Sequence, residues 1–133
     1  MAIVDALRAI NCDTIALVSP YPEWLTKLSV AYWESPGIRV SQLVSTGETF
    51  RAYELESDEV SECLKRIKPG NHRAVVIPGT GLLTLPAILG SPKSEVTMLS
   101  SNICGAWWLC RQAKSAASPT FRNAAPQLAA LLD

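Results

Sequence analysis

One stretch, Ala74–Ile88, constrains what this chain can fold into more than any other. Ala74, Val75, Val76 and Ile77 form a short apolar run that stops at Pro78. The turn Gly79-Thr80-Gly81 follows, and then an apolar segment that can be helical. This order reads as a buried parallel strand feeding a tight turn and a helix. In open α/β sheets, ligands bind at the carboxyl ends of the strands. The turn is therefore where a small anion could meet bare backbone N–H groups. The alternative is a tight connection that holds no ligand.

The rest of the chain repeats the alternation. Thr14–Val18 is a strand, and Pro20, Pro22 and Glu23 open a helix, since proline is tolerated in a first turn. On that helix Trp24, Leu25, Leu28, Ala31 and Tyr32 fall on one face, and Pro36-Gly37 ends it. Ile38–Val44 is the second strand. Residues 45–56 form a patternless connection long enough to line a site. Ser57 is the expected N-cap of the next helix, with Asp58 and Glu59 in its first turn. There Val60, Cys63, Leu64 and Ile67 repeat at helical spacing, and Pro69-Gly70 is the stop. Arg73–Pro78 is the third strand, with a short helix near Leu82–Leu89. Glu95–Leu99 is the fourth strand, and Ser100-Ser101-Asn102 caps a helix through about Ala113. Ile103, Ala106, Trp107 and Cys110 share a face of that helix. A tail from about residue 114 to 133 contains Pro119, Pro126, Leu128, Leu131 and Leu132. Such alternation implies one α/β domain over residues 1–133, its parallel sheet covered on both faces.

Composition narrows the function classes. Hydrophobic residues make up 48% and charged residues 18% of the 133, a globular balance. Twelve basic residues match twelve acidic ones, so no large field steers nucleic acid or an anionic membrane. The cluster Lys65-Arg66-x-Lys68 sits where a helix C-terminus wants cations. Trp107 and Trp108 lack the interleaved basic residues of a single-strand binder. No signal peptide and no transmembrane run are expected. Cys12, Cys63, Cys104 and Cys110 form no C-x-x-C pair, and His72 is not spaced with them. Neither a metal site nor a cofactor is expected, and free thiols suggest a cytoplasmic protein.

Several segments together resemble the aspartate/glutamate racemase superfamily, in its maleate cis-trans isomerase and arylmalonate decarboxylase branch. They are Asp5–Ala9, Ile15–Glu23 (Ile-Ala-Leu-Val-Ser-Pro-Tyr-Pro-Glu), Val76–Thr84 (Val-Ile-Pro-Gly-Thr-Gly-Leu-Leu-Thr) and Leu99-Ser100-Ser101-Asn102. The resemblance spans nearly residues 1–113. It implies a three-layer fold with a four-stranded parallel sheet of order 2-1-3-4. It covers half of the family's usual chain, in which two similar α/β halves face a central cleft. The present sequence looks like the second half, with its leading helix, residues 1–11, matching the one that joins the halves. The resemblance also implies a cysteine just before the glycines of the turn, and Gly79 stands there instead. A thiol at that place would protonate or attack a substrate carbon, and glycine can do neither. Tyr21 matches a family tyrosine whose hydroxyl bonds the substrate carboxylate.

The candidate ligand-binding residues are thus Tyr21, Gly79, Thr80, Gly81 and Asn102, with Asn102 also readable as a helix N-cap. Cys104 is the candidate catalytic thiol. It falls in the first turn of its helix, where the dipole favours thiolate, or else it is a small buried residue beside Trp107 and Trp108. Three readings follow. The chain is a carboxylate-binding half-domain without two-cysteine catalysis, an active isomerase, racemase or decarboxylase paired through Cys104, or an interaction module that completes a partner. A homodimer is expected, because Ile3, Val4, Leu7 and Ile10 form an apolar stripe on a helix that has lost the half it would pack against.

Overall fold

β-Branched and apolar residues build the sheet, and the Pro and Gly pairs cut it into strands. In the computed structural model, which describes residues 2–51 and 53–133, four parallel strands stand in the order β2-β1-β3-β4. They are β1 (Thr14–Ser19), β2 (Arg39–Ser45), β3 (Ala74–Ile77) and β4 (Thr97–Ser100). All six residues of β1 and all four of β3 are buried, as expected for central parallel strands covered on both faces. β2 is an edge strand and exposes alternate residues. Ile15 pairs with Ala74, and Val76 with Leu99, which sets the carboxyl ends of β1, β3 and β4 side by side. Between β1 and β2 the register slips at Ser41, whose hydroxyl donates to the Ile15 carbonyl oxygen at 3.2 Å.

The helices are α1 (Ala2–Ala9), α2 (Glu23–Glu34), α3 (Ser57–Lys65), α4 (Thr84–Gly90), α5 (Ser101–Ala113), α6 (Pro119–Ala124) and α7 (Pro126–Ala130). The N-cap of α3 is Glu56 rather than Ser57. Glu56 and Glu59 form a capping box, each side chain taking a backbone N–H of the other end. Arg66 closes this helix, and its guanidinium donates to the Ser45 carbonyl oxygen at 3.2 Å, so the basic cluster serves the fold. The tail is helical and integral: Ala125 and Leu128 are fully buried in the core. Among the described residues no helix is long and apolar enough to cross a membrane.

One expectation about a helix face needs correction. Val4 and Leu7 of α1 are buried, Ile3 and Ile10 pack on the same core, and α1 lies against α5. The stripe is therefore covered by its own chain, and the reason for pairing two copies through α1 falls away. On α2 the apolar stripe points outward instead: Trp24, Leu28 and Tyr32 are 65%, 66% and 53% exposed. The buried residues of α2 are Thr26 and Trp33. Thr26 tolerates burial because its hydroxyl has partners, the Ser19 hydroxyl at 2.7 Å and the Tyr21 carbonyl oxygen at 3.1 Å.

Candidate functional site

Parallel strands all end on the same side of the sheet, so the segments that follow them meet there. After β1, the Tyr21 N–H donates to the Ser19 hydroxyl at 3.2 Å, and the Tyr21 carbonyl oxygen accepts from the Ser45 hydroxyl at 3.1 Å. The loop is thereby pinned to β1 and β2 at once. After β3, Gly79 adopts φ +96°, a region that side chains with a Cβ rarely enter. A Cβ built there would stand 3.9 Å from the Tyr21 hydroxyl and 3.3 Å from Pro20 Cγ. The tyrosine hydroxyl thus faces the position where the resemblance places a thiol.

After β4, the N-cap of α5 is Ser100, whose hydroxyl accepts from the Ile103 N–H. Asn102 is not the cap. It lies inside the helix, and its side-chain amide donates to the Thr80 carbonyl oxygen at 3.3 Å. Ser101, missed among the candidates, accepts the Gly79 N–H at 3.0 Å. Of the three N–H groups in the turn, one is therefore taken. Those of Thr80 and Gly81 have no acceptor among the described residues. The amino end of α5, which carries no acid in its first turn, contributes the positive end of a helix dipole. None of Tyr21, Gly79, Thr80, Gly81, Ser101 and Asn102 bears a charge, so any anion here would be held by dipoles alone.

The connection before α3 lies over this turn. Phe50 stacks on Tyr21 at 5.5 Å between centroids, and Tyr53 meets Phe50 edge-on at 6.1 Å. A Cβ on Gly81 would fall 2.6 Å from two carbons of the Tyr53 ring, so that ring rests directly on the glycine. Phe50 and Tyr53 were not among the sequence candidates. Their only signal was the length of an unpatterned connection that contains two aromatics.

Cys104 does not join the group. It is fully buried, and burial pushes its thiol up to about 12. The expected lowering by the helix terminus is outweighed by loss of hydration of the thiolate. Cys12 and Cys63 are buried as well, with thiols raised mainly for the same reason. Trp107 is a packing residue, its ring beneath the Arg111 guanidinium at 5.4 Å, whereas Trp108 is 40% exposed.

No protein-family model matches the chain, and no curated protein matches it in sequence. Solved structures do match. A cysteine-to-serine variant of the Nocardia farcinica maleate cis-trans isomerase, with a covalently bound succinylcysteine intermediate, superposes with a TM-score of 0.85 at 24% identity. That match covers 97% of this chain and 54% of the isomerase. The maleate isomerase Iso from Pseudomonas putida gives 0.82 at 18% identity, over 95% of this chain and 53% of its own. Arylmalonate decarboxylase gives 0.73 at 22%, over 90% and 56%. The chain spans about half the length of each, and its fold is that of one half of the maleate isomerases and of arylmalonate decarboxylase.

Proposed function

We propose that this chain is an isomerase-like half-domain that binds a small carboxylate on the Thr80 and Gly81 N–H groups, without two-cysteine catalysis. The observation that carries the reading is Gly79. It has no side chain, its φ is +96°, and the Tyr21 hydroxyl stands 3.9 Å from where its Cβ would be. The turn keeps two N–H groups with no acceptor among the described residues and a facing hydroxyl, which suits a carboxylate, but it has no thiol to move a proton. Burial of Cys104 supports the same reading, because a thiol raised to about 12 supplies almost no thiolate near neutral pH.

Calorimetric titration with maleate, aspartate and acetate tests it. Saturable binding that weakens several-fold in Tyr21→Phe is expected. Incubation with maleate, aspartate, glutamate or aryl malonates should give no conversion above background. Turnover that vanishes in Cys104→Ala would establish the active-isomerase reading instead. Absence of any carboxylate binding, with Tyr21→Phe indistinguishable from the parent, would favour an interaction module.

A further inference from the structure

An apolar cleft of about 360 Å³ opens between α4, α5 and α6. Its walls include Leu82, Leu83 and Leu85 at the entry of α4, Ile103 and Ala106 of α5, and Phe121 of α6. No charged residue lines it. Most of its polar neighbours are engaged elsewhere. The Ser100 hydroxyl accepts the Ile103 N–H, the Ser118 hydroxyl accepts the Phe121 N–H, and the Asn102 amide donates to Thr80. Leu83 is 53% exposed at the rim, so the cleft communicates with solvent. Such a surface holds water poorly and favours an apolar occupant.

The cleft adjoins the turn through two of its lining residues. Leu82, one of its walls, directly follows Gly81, and consecutive Cα atoms lie only ~3.8 Å apart. Asn102 lines the cleft while its amide holds the Thr80 carbonyl oxygen. The Thr80 and Gly81 N–H groups therefore lie within one or two residues of the cleft's wall, close enough for one ligand to span both.

We propose that turn and cleft form one site for a monocarboxylate with an apolar, aliphatic tail. This rests on the carboxylate reading of the turn and adds the class of ligand to it. Size supports the tail. An apolar cavity of roughly 150 Å³ accepts a benzene molecule, so this cleft takes a tail of about eight carbons. A four-carbon diacid such as maleate would leave it empty.

The test is calorimetric titration of the whole chain with acetate, octanoate and n-octanol. Octanoate is expected to bind at least tenfold more tightly than acetate. Ala106→Trp, which fills the cleft from the exposed side of α5, should erase that advantage and leave acetate binding unchanged. The uncharged Leu83→Ser at the rim should do the same, and a far-ultraviolet spectrum identical to the parent's shows that each variant folds. Acetate and octanoate binding equally would overturn the proposal while the carboxylate reading stands. An octanoate advantage that survives both variants would overturn it too, by placing the tail elsewhere. Octanol binding as tightly as octanoate, with acetate not binding at all, would instead remove the carboxylate reading and the single site with it.

Discussion

The Gly79 N–H donates to the Ser101 hydroxyl at 3.0 Å, which ties the turn after β3 to the first residue of α5. Neither residue alone explains the site. The glycine supplies the conformation, and the serine anchors it by accepting its N–H.

Ser101→Ala should therefore have two effects. Stability should fall by about 0.5–1.5 kcal/mol, the usual net worth of one such hydrogen bond. Carboxylate affinity should fall as well, because the turn loses its anchor. Urea unfolding and titration with acetate measure the two losses separately.

Restoring the thiol should not restore chemistry. Gly79→Cys places a Cβ at φ +96° and 3.3 Å from Pro20 Cγ. Holding a residue with a Cβ in such a region costs on the order of 1–3 kcal/mol. The variant should unfold at lower urea than the parent, and Gly79→Ala should lose a similar amount. Neither should isomerise maleate. Full stability in Gly79→Cys would mean that the backbone relaxes there without strain.

Alkaline stability should report on Cys104. Its thiol ionises near 9.0 when free and near about 12 in the fold. The folded state thus retains a proton that the unfolded chain releases between those values. The stabilisation is complete below pH 9 and drains as pH rises toward 12, at up to ~1.4 kcal/mol per pH unit. Cys12 and Cys63, raised in the same direction, add slopes of the same sign. Urea midpoints at pH 8, 9 and 10 should fall in that order, and Cys104→Ala should flatten the decline.

The two tryptophans of α2 should behave oppositely on truncation. Trp33 is 4% exposed, and Trp33→Ala should cost about 3–5 kcal/mol. Trp24→Ala should stay within ~0.5 kcal/mol, as is usual for an exposed position. Thermal melts of the two variants distinguish this arrangement from one in which the 24-28-32 stripe faces the core.

That contrast marks where sequence reading worked and where it stopped. The strands were legible because β-branched runs and Pro/Gly stops are local signals. The turn at Gly79–Gly81 was legible from its own glycines after an apolar run, whereas the strand order came with the resemblance. The orientation of α2 was not legible. Its aromatic stripe has the spacing of a buried face, and Thr26 enters the core only because Ser19 and Tyr21, elsewhere in the chain, satisfy its hydroxyl. Asn102 was read both as a ligand-binding candidate and as a helix cap, and the cap's role is filled by Ser100. For Cys104 the sequence offered two readings, a thiolate at a helix start and a small buried residue, and only the fold shows that the second holds. Phe50 and Tyr53 escaped notice because an irregular connection has no period to betray which residues it folds inward.

The ring of Tyr53 occupies the space above Gly81, yet it is 81% exposed and little holds it from outside. A ligand of the proposed kind would reach the glycine only after the ring leaves, which would make association a two-step event. At high ligand concentration the observed rate would level off at the speed of ring departure. An exposed side chain changes rotamer in picoseconds to nanoseconds. That ceiling lies far above any encounter rate in dilute solution, so the aromatic cover would not slow the arrival of a carboxylate of the proposed kind.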